Sequence, residues 1–250
     1  MRITEQRSIV VTEPRTVVIT GGAGGIGRGI AEAFAAAGDR VVIADLNAEA
    51  AAAVAAELGG ASQGIDIADA ASVASAIEAI VATHGPIDVL VNNAGLLSLH
   101  GRVVELDPAD FDTILRVNVL GTFQVTQAVA RHMIEAGTHG SIVNISSIGG
   151  RQPTPGMGGY ESSKAAVDAL TRWAAIELAE NGIRVNAVAP GPVLTPMLQM
   201  GMPAGSPART AWEARIPLGR MAEVSDIAPA VLFLAGPGAA HITGTSLGSP

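Results

Sequence analysis

Thr16-Val17-Val18-Ile19-Thr20-Gly21-Gly22-Ala23-Gly24-Gly25-Ile26-Gly27 joins a short β-branched run to a glycine-rich turn, and an alanine-rich segment over 26–37 follows at once. Glycines there let the backbone turn sharply and let a pyrophosphate approach the peptide groups, while the helix start supplies unpaired N–H donors. The same strand-then-helix unit then repeats. Residues 40–45, 65–66 with their approach from Ala61, 87–92, 141–146 and 183–189 read as strands, and 48–58, 70–84, 111–136 and 160–180 as helices. Uninterrupted apolar runs such as Val41-Val42-Ile43-Ala44 and Val89-Leu90-Val91 belong to strands covered by helices on both faces of a parallel sheet. The expected fold is therefore α/β, a single doubly wound domain over 15–250 preceded by an N-terminal extension over 1–14. After Ala189, Pro190, Pro192, Pro196, Pro203 and Pro207 with Gly191, Gly201 and Gly205 predict a long irregular loop or lid, its substrate-facing part at about 194–216. Residues 224–234 read as a final helix and 245–247 as a last strand.

Composition narrows the function. The 250 residues are 48% hydrophobic and 15% charged, with a net charge of −8 and no run of Lys or Arg, which disfavours nucleic acid and anionic membranes as partners. There is no cysteine, so disulfides and thiolate metal sites are excluded, and no stretch approaches a membrane-spanning length. The first fourteen residues, with Arg2, Glu5, Arg7 and Glu13, lack the apolar segment of a signal peptide. A cytoplasmic protein without a metal site is expected.

The polar residues fall at one edge. Gly21 follows the first strand, Asp45 ends the second, Asp66 the third, Asn92 and Asn93 the fourth, Ser147 follows the fifth and Pro190-Gly191 the sixth. Ligands bind at the carboxyl ends of an open parallel sheet, so these positions can form one elongated site. Each also has a purely structural alternative: Asp45 and Asp66 as helix caps, Asn92-Asn93 as a turn. Asp45 stands about twenty residues past the glycines, where a carboxylate accepts hydrogen bonds from an adenosine ribose. Tyr160 and Lys164, four apart in a predicted helix, share a face, and a fixed ammonium favours the phenolate, lowering a pKa that is ordinarily roughly 10. Ser147, thirteen residues upstream, would hold the oxygen that gains or loses the proton. Asn118 sits among Ile114, Leu115, Val117, Val119 and Leu120, where a buried amide needs backbone partners or a water leading to the lysine.

On Thr20-Gly21-x-x-x-Gly25-Ile26-Gly27, Asn92-Asn93-Ala94-Gly95, Asn118, Ser147, Tyr160-x-x-x-Lys164 and Pro190-Gly191-Pro192-Val193-Leu194-Thr195, the chain resembles the short-chain dehydrogenase/reductase family from Thr16 to about Ser246. The resemblance implies a Rossmann-like sheet of about seven strands in the order 3-2-1-4-5-6-7 and a catalytic tetrad of Asn118, Ser147, Tyr160 and Lys164. It implies a nicotinamide dinucleotide, read as NAD, held by Gly21, Gly24, Gly25, Ile26, Gly27, Asp45, Leu46, Asp66, Ile67, Asn93, Ala94, Gly95, Tyr160, Lys164, Pro190, Gly191, Val193 and Thr195. It also implies a homotetramer or homodimer. One departure is visible: Ile242-Thr243-Gly244-Thr245-Ser246-Leu247 runs into Gly248-Ser249-Pro250 in place of the usual ending, so a short or frayed last strand is expected.

The expected reaction is hydride transfer between NAD(H) and a secondary alcohol or ketone, with Tyr160 as acid-base. An NADPH-dependent carbonyl or 3-oxoacyl reductase is the alternative, and a catalytically silent NAD-binding sensor the alternative of another class. Substrate walls are expected from 96–102, 149–159 and 194–207, above all Leu97, Gly149, Pro155, Met157 and Met197, with Leu99, Pro153, Met200 and Met202 adding apolar surface. That composition suits a medium-sized, largely apolar substrate unless the methionines merely fill a loop core. Arg151 and His100 are candidates for meeting a carboxylate or polyol instead. Arg28 is the one cation near the expected ribose site, facing solvent or the pyrophosphate.

Overall fold

The computed structural model describes residues 14–249, so the expected N-terminal extension lies, but for Pro14, outside the described residues. Seven strands, β1 (Thr16–Thr20), β2 (Arg40–Asp45), β3 (Ala61–Gly64), β4 (Val89–Asn92), β5 (Ser141–Ile145), β6 (Arg184–Pro190) and β7 (Ser246–Ser249), form one parallel sheet in the order β3-β2-β1-β4-β5-β6-β7. Alternation along each strand feeds two cores. Val17, Ile19, Val41 and Ile43 join Val89, Val91 and Val143 on one face, under α1 (Gly25–Ala36), α2 (Ala48–Leu58) and α9 (Val224–Ala235). Val18, Val42, Leu90, Ile142 and Val185 face α3 (Ala70–His84) and α5 (Thr122–Ala136) on the other. Both faces being sealed, the strands read as unbroken apolar runs. The winding reverses between β1 and β4, and the crevice opens there, at the carboxyl ends.

Local chemistry sets the helix ends. On α1, Gly27, Ile30, Ala31 and Phe34 are buried at helical spacing. Asn47 caps α2 by accepting from the Ala50 amide, and Asp69 caps α3 by accepting from Ala71. Neither Asp45 nor Asp66 is therefore the cap of the helix that follows it.

Four expectations are corrected. The third strand ends at Gly64 rather than at Asp66: Ile65 and Ile67 carry the hydrophobic signal, but they plug the core after the chain has left the ladder. The helix expected over 111–136 is α4 (Pro108–Leu115), a π-helical turn (Arg116–Gly121) and α5 in succession, and it begins early because Asp107 caps Ala109 and Pro108 sits in the first turn. The lid is not irregular. It contains α7 (Pro196–Gly201) and α8 (Pro207–Glu213), each with proline in its first turn and a hydroxyl cap, Thr195 on Leu198 and Ser206 on Arg209. Finally, β7 runs over Ser246–Ser249 rather than 245–247: of the two forms expected it is the short one, four residues paired with Ala187 to Pro190. The remaining long helix, α6 (Gly158–Leu178), lies against β6 and carries the residues described next.

Candidate active site

Tyr160 and Lys164 stand on the first two turns of α6. The Lys164 ammonium is buried, donates to the Ile145 carbonyl at 2.8 Å and lies 5.6 Å from the centre of the Tyr160 ring. Burial pulls its pKa down to about 8, against the upward pull of Asp168. The phenol moves the other way. Burial raises the Tyr160 pKa, a hydrogen bond with the Ser147 hydroxyl opposes the rise, and the nearby Glu161 charge adds to it. The expectation that lysine lowers the phenol is thus corrected: the ammonium sits over the ring face, spends a proton on a backbone carbonyl, and desolvation dominates.

Ser147 follows β5 and caps a 3-10 turn (Ile148–Gly150), its hydroxyl accepting from the Gly149 amide at 3.1 Å. Ser146 turns away and bonds the Lys164 carbonyl, which leaves Ser147 as the serine beside the phenol. Asn118 sits in the π-helical turn and is fully engaged. Its amide donates to the Leu96 carbonyl and to Ser163, and its oxygen accepts from the Leu96 amide at 2.6 Å. The backbone partners expected for it are present, at Leu96. Ser163 passes the connection on by donating to the Tyr160 carbonyl at 2.6 Å.

The glycine turn is built for close approach. Gly21 has φ +63°, and a Cβ there would stand 2.8 Å from the Ala94 backbone; at Gly27 one would collide with the Gly21 carbonyl and the Asn93 amide. Asn93 fastens β4 to this turn, donating to the carbonyls of Thr20 and Gly21, while Thr20 accepts from the amides of Asn93 and Ala94. No side chain caps α1 and its first turn holds no acid, so Gly24, Gly25 and Ile26 present a helix terminus unneutralised by protein charge. At the end of β2, Asp45 accepts from the amides of Ala23 and Asn47, bringing its carboxylate against the same turn, with Leu46 exposed beside it. Arg28 lies at the surface, as one of the two expected placements has it, its side chain 41% exposed and paired with Glu32 at 2.9 Å and Glu57 at 2.6 Å.

Further along the edge, Asp66 lies two residues beyond β3, with its oxygen on the Ala68 amide. The Ile67 side chain is turned into the core against Gly121, and its carbonyl accepts from Gln124 at 2.8 Å. Gly95 passes over Asn118 and Lys164, a Cβ there lying 3.3 Å from the Asn118 oxygen and 3.5 Å from the lysine nitrogen. Pro190 ends β6, Gly191 follows, Val193 is pinned by a bridge to Ala222, and Thr195 comes within 3.5 Å of a Cβ built on Gly25. The turns after β1 and β6 therefore face each other across the crevice.

The expected substrate wall is only partly assembled. Leu97 and Pro155 are exposed, Met157 is half-buried, and Gly149 packs on Glu161; the Met197 side chain lies outside the described residues. Met200 points to solvent at 78% exposure, and Met202 packs with Leu198 and Trp212 on the small lid core of Leu194, Ile216 and Met221. These two methionines do not add apolar wall. Arg151 is bound by Asp168 and by the Ser246 carbonyl, and His100 contacts its own loop at the Ser98 carbonyl. Glu161, Ser163 and Asp168 were not singled out by sequence. The available signal was spacing, since 161, 164 and 168 form one helical stripe with the lysine between two acids.

Comparison with known proteins agrees with this geometry. The profile of a family described as enoyl-(acyl carrier protein) reductase matches residues 21–248. The chain is 41% identical to a sorbitol dehydrogenase of Cereibacter sphaeroides over 91% of its length and 93% of that protein's. It is 42% identical to a D-threitol dehydrogenase of Mycolicibacterium smegmatis over 93% and 90%. Among solved structures, a 3-ketoacyl-(acyl-carrier-protein) reductase from Brucella melitensis complexed with NADH superposes with a TM-score of 0.87 at 36% identity, covering 94% of this chain and 96% of that one. With its sheet order and the crevice residues in place, the chain belongs to the short-chain dehydrogenase/reductase family of oxidoreductases.

Proposed function

We propose that this protein transfers hydride between NAD(H) and a secondary alcohol or ketone of medium size and largely apolar surface. The observation that carries the reading is the convergence of Tyr160, Ser147 and Lys164 beside a glycine turn backed by the Asp45 carboxylate. Bound nicotinamide supplies the carbon that accepts or returns hydride. In oxidation, Tyr160 takes the substrate hydroxyl proton and Ser147 orients that oxygen, with the Lys164 ammonium held over the phenol ring; reduction runs the same transfers backwards. Acid-base help of this kind is worth on the order of 10²–10⁴ in rate. A silent sensor has no use for these three groups in register.

The residues fit a dinucleotide: the uncapped start of α1 suits the pyrophosphate, and Asp45 suits a ribose diol. NAD is the preferred form on this reading because Asp45 repels a 2′-phosphate and Arg28 is already held by two glutamates. Those same pairs weigh against the NADPH-dependent alternative. A second substrate reading, an open-chain polyol, is favoured by the two polyol-dehydrogenase relatives and by the loss of Met200 to solvent and of Met202 to the lid core.

As partner we propose a second copy in a homodimer or homotetramer, seated on the face of α5, α6 and the π-helical turn that leads into α5. There Leu120, Ile134, Trp173 and Ile176 are exposed, and a cavity of about 220 Å³ is lined by Phe123, Trp173 and the opposite charges Arg131 and Glu177, a self-complementary surface. Among the described residues no helix is long and apolar enough to cross a membrane, and we place the enzyme in the cytoplasm. The test is a panel of apolar secondary alcohols, polyols and 3-oxoacyl thioesters, assayed with both cofactors at the reduced-nicotinamide absorbance. Turnover of polyols alone would overturn the apolar assignment, and no turnover of any alcohol or ketone would overturn the enzyme.

A further inference from the structure

The segment from Ser147 to Met157 is one wall of the proposed substrate site, and it is tied to α6 at two points. Both oxygens of Glu161 accept from the Thr154 amide, at 2.8 and 2.9 Å. One turn beyond Lys164, an oxygen of Asp168 accepts from Nε and an Nη of Arg151 at 3.3 and 3.2 Å, while its other oxygen accepts from Ser246 of β7 at 2.9 Å. Glu161, Lys164 and Asp168 are 7%, 5% and 5% exposed. Acids on a helix ordinarily turn to water, so two of them buried on the lysine's own stripe call for a reason.

The 3-10 turn just ahead of these ties leaves no slack against α6. A Cβ on Gly149 would stand 2.9 Å from Glu161 Cγ, and one on Gly150 would stand 2.9 Å from the Ala165 nitrogen. The wall also reaches the opposite loop, where the Gly156 carbonyl accepts from the Gly101 amide at 2.9 Å. A shift at Thr154 would therefore move Gly149, whose amide rests on the Ser147 hydroxyl, and would move the lip at Gly101.

We propose that Glu161 is a positioning residue for catalysis: it straps the substrate-side wall to the catalytic helix, holds Ser147 in register with Tyr160, and keeps a negative charge beside the phenol. Asp168 is the second anchor of the same strap. The proposal rests on the dehydrogenase reading, since it assigns Ser147 and Tyr160 their roles. Charged and titratable groups around the phenol are Lys164 and Glu161 on α6; Arg151 on the wall is committed to Asp168, His100 is bonded within its own loop, and Arg116 on the π-helical turn is paired with Asp112. The Glu161 charge raises the phenol's pKa, so its removal makes the phenolate easier to form.

The test compares Glu161→Gln and Glu161→Ala with the unmodified protein by amide hydrogen exchange over 151–157, by NADH affinity, and by the pH profile of alcohol oxidation. Glu161→Ala should speed exchange at Thr154 by about tenfold or more and raise KM by about as much, with NADH affinity within about threefold. Glu161→Gln should keep most of the exchange protection and KM, yet move the rising limb of kcat/KM to lower pH by about half a unit or more. Unchanged exchange at Thr154 in Glu161→Ala would refute the strap whether or not the protein turns over any alcohol. A Gln variant with an unmoved profile would leave Glu161 as structure alone and refute the charge role. If no substrate is turned over by the unmodified protein while Thr154 responds as stated, the dehydrogenase reading fails and the strap stands.

Discussion

Replacing Lys164 by methionine should make the protein more stable at neutral pH while abolishing its activity. The side chain is 5% exposed and its pKa falls from the ordinary 10.5 to about 8, a displacement that corresponds to roughly 3 kcal/mol of disfavoured charge. Methionine is similar in length and carries no charge. It forfeits the hydrogen bond to Ile145, worth about 1 kcal/mol, so the net gain at pH 7 is about 2 kcal/mol. The pH dependence has a definite sign. Below about pH 8 both folded and unfolded lysine are protonated and the penalty is constant. Between about 8 and 10.5 the unfolded chain holds the extra proton, so the unmodified protein gains stability as pH rises and the difference from the variant closes. Guanidinium unfolding midpoints at fixed protein concentration, taken at pH 7, 8, 9 and 10, read this directly. Tyr160, raised by burial, gives an opposite slope only above about pH 10, in both proteins. A difference that stays constant across the series, or a variant less stable at pH 7, would refute the claim that Lys164 is held against its preference.

Tyr160→Phe should lower turnover by about 10³ or more and leave NADH affinity within about threefold, because only the titrating proton is lost; appreciable residual turnover would remove Tyr160 from the chemistry. NAD should be preferred over NADP by about a hundredfold in kcat/KM, roughly 2.7 kcal/mol, and Asp45→Ala with Leu46→Arg should erase most of that ratio; equal use of both cofactors by the unmodified protein would end the role given to Asp45. Gly27→Ala forces a methyl into the Gly21 carbonyl and should cost about 3 kcal/mol with loss of cofactor binding, which a thermal shift with and without NADH would show. Trp173→Glu places a charge on the exposed α6 face and should convert the oligomer to monomer by light scattering, with unfolding little changed; a monomeric unmodified protein would overturn that interface.

Much of this fold is legible in sequence because parallel sheets covered on both faces leave a simple trace. Val41 to Ala44 are apolar without alternation, and only a strand buried on both sides has that need. The same signal misplaced the third strand: Ile65 and Ile67 are buried for packing, not pairing, and hydrophobicity does not distinguish the two. The lid was misread for a related reason. Proline breaks a helix when it stands inside and starts one when it stands first, and Pro196 and Pro207 are of the second kind. Their caps, Thr195 and Ser206, directly precede them and could have been used. Side-chain direction was beyond reach altogether, as with Met200 in solvent and Arg28 held by a glutamate 29 residues away.

The polar residues of the site were found because their chemistry is scarce in a core, and α6 shows what that scarcity costs. Glu161, Ser163, Lys164, Asp168 and Thr171 are all buried on this one helix, whereas the buried residues of α1 are all apolar or glycine. A helix that buries five polar side chains gains less from desolvation than one that buries Ile30, Ala31 and Phe34, so its position must come from hydrogen bonds. Those bonds exist, to Asn144 through Thr171, to Asn118 through Ser163, to Thr154 through Glu161 and to Ser246 through Asp168. Each is directional, and each ends on a different element that lines or supports the crevice. Such a helix is fixed in rotation as well as in depth, which apolar packing does less well. Rotation is what sets Tyr160 against Ser147 and Lys164 under Gly95, so the stability given up along this face is what holds in register the group to which we assign the proton transfer.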